Sequence, residues 1–294
     1  MMETPEFSQE LDVIYGASLQ ISPLVRRVVA RNPSAFTYTG TGTFIIGHGR
    51  VAVIDPGPAD ANHIDAICNA TLGETISHIV ITHTHRDHSP GAAPLAAATG
   101  ASVVGCAPIM IEDEGPRADE SFDTTYAPLL ILHDGDAVTG PGWTLRAVHT
   151  PGHTSNHLCY ALEEEKALFT GDHVMGWSTT VVSPPDGNMT DYFASLRKLL
   201  MRDDQRYYPT HGKPVDAPQK FVRALIAHRK MREAQILDCL KQGLTTVPDI
   251  VARLYVTVPK MLHGAAARSV LAHLNDLEAQ SRVAADDGHY RLMA

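Results

Sequence analysis

Apolar and polar positions alternate along residues 36–54, FTYTGTGTFIIGHGRVAVI, as two β-branched runs joined by Gly47-His48-Gly49, the signature of a hairpin. The second run ends at Asp55-Pro56-Gly57. Helical spacing follows over residues 59–70. An apolar strand, HIVIT, comes next at 78–82, then an Ala-rich helix after Gly91 and a strand, ASVVG, at 101–105. Between residues 129 and 170 the pattern changes to short strands, LLIL, WTLRAVHT, LCYAL and ALFT, separated by Gly, Pro and acidic turns. Helices are predicted again over 189–201 and, long and amphipathic, over 218–241. The tail reads helix, helix, then two short strands about Asp286-Asp287-Gly288, the order of a winged helix.

This order implies an α/β body over residues 1–217 and a small helical, winged-helix-like unit over 218–294. The 294 residues are 44% hydrophobic and 19% charged, enough apolar material for a packed core, which excludes disorder, collagen and coiled coil. Residues 91–111 carry no charge and are long enough to span a bilayer. Gly91, Gly100, Gly105, Pro94 and Pro108 interrupt them, so they read as a buried helix, turn and strand, and no membrane partner is expected.

The net charge of −9 is unevenly spread: residues 1–217 hold 13 basic and 26 acidic side chains, residues 218–294 hold 11 and 7. The acidic body disfavours nucleic acid, while the tail, at +4, is a different kind of surface. Cys68, Cys106, Cys159 and Cys239 lie far apart with no C-x-x-C pair, so they read as small buried hydrophobes in a reducing compartment. The acidic start, MMETPEFSQELDVIYGAS, has no basic region followed by an apolar run, and a cytoplasmic location is the default expectation.

The chemistry concentrates in ITHTHRDHSPG, where His83, His85, Asp87 and His88 crowd directly behind an apolar strand. A strand delivers its last side chains to the sheet edge, and the following loop can fold several of them around one point. Imidazole nitrogen with carboxylate oxygen suits zinc, manganese or iron. Three further segments offer matching ligands at strand ends or turns: His153 in HTPGHT, Asp172 in TGDH and His211 in YPTHG.

The H-x-H-x-D-H motif with HTPGHT, TGDH and PTHG resembles the metallo-β-lactamase superfamily over nearly the whole chain. The resemblance implies a four-layer αββα sandwich over about residues 20–215, with two divalent metal ions between facing sheet edges. Carried over motif by motif, it implies that His83, His85 and His153 hold one ion, that Asp87, His88 and His211 hold the other, and that Asp172 bridges them. Asp55, in VAVIDPG, matches a position that supports the ligands without binding metal. His157 and His149 are expected in structural roles. Two such ions about 3.5–4 Å apart share a water, bring its pKa towards 7 and polarise the attacked group, which implies a hydrolase using a bridging hydroxide, with Asp87 and Asp172 as the catalytic carboxylates. Zinc is the default metal, with iron and manganese accepting the same ligands.

Antibiotic-cleaving members usually carry Cys, Ser or His where this chain has Asp172, and the flavin-linked diiron branch has Glu where His85 stands. Both activities are disfavoured. Glyoxalase-type thioesterases typically have Gly in place of Asn156. The β-lactamase-like protein 2 branch combines these ligands with a winged-helix-like tail, and GWSTTVVSPPDGNMTDYFASL is similar to bacterial members of that group.

Residues 175–192 follow Asp172 directly, and Trp177 and Tyr192 are the candidates there for a substrate-pocket wall. The expected substrate is a small ester, thioester or lactone. The alternative is single-stranded RNA, which animal members of the branch cleave; the basic tail favours it and the acidic body opposes it. A third reading makes the tail a DNA-binding regulator with a ligand-sensing metal site. Its recognition helix, residues 260–280, offers only Lys260 and Arg268 as basic groups, with His263 and His273, while Leu262, Val270, Leu271, Leu274 and Leu277 have core spacing. Covering the active-site mouth or forming a homodimer contact is the expected role of the tail.

Overall fold

The computed structural model describes residues 4–9, 12–109, 111 and 121–293. The N-terminal segment read above falls partly outside these residues. Two facing sheets form the centre. One has seven strands in sequence order: β1 (Ser18–Ser22), β2 (Val25–Val29), β3 (Gly42–Ile46), β4 (Arg50–Ile54), β5 (Thr75–Ile81), β6 (Ser102–Gly105) and β7 (Leu130–Ile131). The other runs β12 (Arg206–Pro209), β11 (Ala167–Gly171), β10 (Leu158–Leu162), β9 (Trp143–His149), β8 (Ala137–Gly140).

Alternation along β10 explains the layering. Leu158, Tyr160 and Leu162 face the first sheet together with Leu145, Phe169 and Tyr208, whereas Cys159 and Ala161 face outward with Val148 and Leu168. The outward face is covered by α3 (Met189–Leu200) and the first half of α4 (Pro218–Lys241), through Phe193, Leu196, Val222 and Leu225. On the far side α1 (Ala61–Ala70) and α2 (Ala92–Thr99) pack on the first sheet. The architecture is thus the αββα sandwich.

Asp60 caps α1 by accepting from the Asn62 amide, Asn188 caps α3 through Asp191, and Pro218 opens α4, where its missing N–H costs nothing. The C-terminal unit holds α5 (Val247–Leu254), α6 (His263–Ala279) and the ribbon β13 (Val283–Asp286) with β14 (His289–Leu292). Its core joins Val251, Val270, Leu274, Leu277 and Tyr290 to Ile236 and Leu240 from the second half of α4. One helix therefore serves both cores. All four cysteines are free thiols; three are buried and Cys68 is half-buried. Among the described residues no helix is long and apolar enough to cross a membrane.

Strand direction gathers the chemistry. β4, β5 and β6 run parallel, as do β11 and β12, so the loops after β4, β5, β11 and β12 leave from carboxyl ends. The loop from β9 to β10 emerges at the same rim. Backbone bonds between the sheets close it: Leu158 N–H to Thr82 C=O at 2.9 Å and Gly42 N–H to Thr210 C=O at 2.8 Å.

Candidate metal centre

Three imidazole nitrogens converge from two loops. His83 Nε2 lies 3.0 Å from His85 Nδ1, which lies 3.1 Å from His153 Nε2. The His153 Nδ1–H donates to the Val181 carbonyl at 2.6 Å, leaving Nε2 as a bare lone pair. His83 is oriented similarly: the Thr82 hydroxyl gives its proton to Asp55 Oδ2 at 2.7 Å, so it accepts from His83 Nδ1–H at 3.0 Å. Burial, reinforced by the neighbouring imidazoles, holds the pKa of His83 and of His85 well below 6.5. The lone pairs of His83 and His153 each lie about 3 Å from His85 Nδ1. Donors around a tetrahedral ion at 2.0–2.1 Å stand roughly 3.3 Å apart, so the trio fits a cation.

A second group lies beside the first. His211 Nε2 is 3.1 Å from Asp87 Oδ2 and 3.4 Å from Asp172 Oδ1; His88 Nε2 is 3.3 and 3.6 Å from the same atoms. The outer nitrogens are engaged: His88 Nδ1–H donates to Asp55 Oδ2 at 2.9 Å, and His211 Nδ1–H to the Gly40 carbonyl at 3.1 Å. His88 Nε2, His211 Nε2 and Asp172 Oδ1 are buried without a hydrogen-bond partner. Burial opposes protonation of His211, but Asp172 and Asp87 outweigh it and push its pKa up to about 10. Burial likewise opposes charge on His88, which Asp87, Asp172 and Asp55 raise well above 6.5. The four side chains stabilise positive charge at their centre, whether a proton or a metal ion supplies it. The other carboxylate oxygen of Asp172 faces His153 Nε2 at 3.9 Å, so this residue reaches both groups.

Asp172 is held from both sides. Its N–H donates to His157 Nε2 at 3.2 Å, and its carbonyl accepts from Thr180 Oγ1 at 2.8 Å. The residue before it must be glycine: Gly171 has φ +50°, and a Cβ there would sit 2.5 Å from His157 Nε2. His157 is therefore a brace rather than a member of either group. His149 is exposed at the sheet edge and bonds the Ser155 carbonyl.

Residues 38–211 match the model of the metallo-beta-lactamase superfamily. The chain belongs to this superfamily. Residues 246–291 match the beta-lactamase associated winged helix domain. A beta-lactamase-like protein 2 homolog of Caenorhabditis elegans is 32% identical over 263 residues, 88% of this chain and 85% of that protein. An atrochrysone carboxyl ACP thioesterase of Cryptosporiopsis sp. (strain 8999) is 33% identical over 226 residues, 76% of this chain and 65% of that relative's length. A beta-lactamase domain protein from Burkholderia ambifaria has the same fold, with TM-score 0.79 at 19% identity, covering 97% and 96% of the two chains. The chain spans 65% of the length of the first curated relatives it matches, and its His/Asp clusters suit divalent metal ions.

Above the two groups lies a cavity of about 20 Å³, lined by His85, Asp87, His153 and Asp172 with Phe36, Met175 and Val181. That is room for about one water. A larger cavity, of about 330 Å³, lies between residues 4–8 and α4 and holds none of the seven candidate ligands. Trp177 stands outside the small cavity, stacked on Tyr38 with centroids 5.0 Å apart. Tyr192 is fully buried behind the site, 4.8 Å from the His173 ring. Sequence reasoning missed Phe36, Val181 and Phe122, whose ring stacks on His85 at 4.8 Å. It also missed Thr82. No spacing rule marks these residues; they reach the site by loop folding. Asn156, noted only as a departure from the glyoxalase type, donates to the Ala107 carbonyl at 2.7 Å and ties the His153 loop to the end of β6.

Proposed function

We propose that the protein is a binuclear hydrolase of a small ester, thioester or lactone. In this reading His83, His85 and His153 hold one ion, Asp87, His88 and His211 the other, and Asp172 is shared. The carrying observation is the cavity wall, where apolar Phe36, Met175 and Val181 face Asp87 and Asp172, with no lysine or arginine among the described lining residues. A polyanion would find no basic side chain there to pair with, whereas a neutral acyl group can rest its apolar part against the three hydrophobic side chains.

When bound, two divalent ions, zinc by the donor set, supply Lewis acidity and a water ionised near neutral pH. Asp87 and Asp172, both on the cavity wall, orient the attacking water, and Asp87 would relay its proton to the leaving oxygen or sulfur. Asp55 holds His88 directly and His83 through Thr82, while Phe36, Met175 and Val181 exclude bulk water. Water is added across the acyl bond, releasing an acid and an alcohol or thiol. The thioesterase among the relatives supports the acyl substrate.

A second reading, cleavage of single-stranded RNA, rests on the +4 balance of residues 218–294. A panel of thioesters, esters and lactones beside a labelled single-stranded RNA, each with and without chelator, separates the two. Chelator-sensitive acyl hydrolysis with silent RNA is expected; salt-sensitive, chelator-sensitive RNA cleavage with a silent acyl panel would overturn the acyl assignment.

A further inference from the structure

Arg229, in the middle of α4, is buried, yet among the described residues its guanidinium forms no ion pair with a carboxylate. Nearby Glu233 is engaged instead by Lys230 and Arg282. The guanidinium donates from Nη2 to the Thr180 carbonyl and lies over the Tyr192 ring, 5.3 Å from its centroid. Burying a cation without a counter-ion is costly, so its place against one backbone carbonyl calls for a reason. Thr180 supplies it. The Thr180 hydroxyl points to the Asp172 carbonyl at 2.8 Å and the His173 carbonyl at 3.0 Å. Tyr192 in turn packs on the His173 ring. A single side chain on α4 thus holds the loop that leaves Asp172 at Thr180, by a hydrogen bond, and packs on Tyr192 of the helix that follows it.

We propose that Arg229 is a positioning residue for the metal centre, fixing through Thr180 the carboxylate of Asp172 where it can serve both ligand groups. The inference rests on the reading of Asp172 as a shared ligand. It gives the helix that joins the two cores a role in the chemistry, since α4 reaches the loop from outside the sandwich. The C-terminal unit holds the same segment further along, by Arg268 Nη1 to the Pro184 carbonyl at 2.8 Å and Thr190 Oγ1 to Asp276 at 2.5 Å. Those contacts are remote from Asp172 and serve as controls.

The test is zinc retention by zinc-loaded, full-length protein equilibrated with a graded chromophoric chelator, read beside the thermal midpoint. Arg229→Met keeps the apolar stem and removes the donors. It should weaken the more loosely held ion about tenfold and leave the tighter one within about twofold, within the 10–100-fold range for residues that support metal ligands. Arg229→Lys should recover part of the loss. Thr180→Val should reproduce it, and it keeps the test open should Arg229→Met not fold. Arg268→Met should change neither affinity. A merely structural arginine would lower the midpoint without separating the two ions. Unchanged retention in folded Arg229→Met and Thr180→Val, or an equal loss in Arg268→Met, overturns the proposal. Asp172→Ala separates the two levels: if it too keeps both ions, the ligand reading fails; if it alone loses one, only the role of Arg229 does.

Discussion

The Asp55 carboxylate receives His88 Nδ1–H directly and reaches His83 through the Thr82 hydroxyl, so one residue outside both groups orients a member of each. Asp55→Ala should therefore lower the affinity for both ions, by about 10–100-fold, in chelator competition. Retention equal to the parent protein would remove Asp55 from that role. Phe36→Ala, which removes the aromatic part of the cavity wall, should shift relative rates across an acyl panel while elemental analysis still finds both ions; an unchanged rank and ratio of rates would clear Phe36. The seven ligand candidates were legible because each sits in a short motif at a strand end or turn, and the fold brings them into two clusters. The apolar wall was not legible. Phe36 belongs to a run that reads as a hairpin, and nothing in the spacing of Met175 or Val181 distinguishes wall from packing.

At the scale of elements, α1 is tied to the site by a buried histidine. His63 Nε2–H donates to Thr43 Oγ1 at 2.8 Å, and the Thr43 hydroxyl donates to the Asp55 carbonyl at 2.7 Å. Burial, against a smaller opposing pull from Asp60, lowers the His63 pKa from 6.5 to about 4. The unfolded chain therefore takes up this proton first as pH falls, so stability is retained above pH 6.5 and lost between 6.5 and 4, by up to ~3 kcal/mol. His63→Gln, which keeps a donor and does not titrate, should show a shallower fall in thermal midpoint across that window; parallel curves would contradict the link. Gly152 is a second such joint. At φ +137° a Cβ would lie within 2.6 Å of the backbone of Tyr192, so Gly152→Ala should displace the His153 loop from α3 and cost metal affinity as well as stability. The helix predicted over 218–241 coincides with α4 because its apolar spacing is sustained and Pro218 and Gln242 bound it. β2, β8 and β12 went unread. VRRVV carries two arginines, although Arg27 is buried with its guanidinium on the Gly212 carbonyl, and AVTG and RYYP are too short for a period to register.

Across the whole molecule, two sheets bring loops from distant parts of the chain to one rim, and α4 couples that rim to the winged-helix unit. The αββα order was legible only through the family resemblance that the motifs carry; the order of elements by itself gave no more than an α/β body. The facing of the two rims depends on cross-sheet bonds such as Leu158 to Thr82, between residues too far apart for any local pattern to pair. The winged helix uses its helical apolar positions, Val270, Leu274 and Leu277, for its own core, as their spacing predicted. The proposal that two ions at the seven-residue cluster perform the hydrolysis is tested by the rate of thioester hydrolysis by protein carrying zero, one and two equivalents of zinc, with the content verified by elemental analysis. No turnover is expected at zero and full turnover only as the second equivalent binds; turnover that survives complete removal of metal would overturn the two-ion reading.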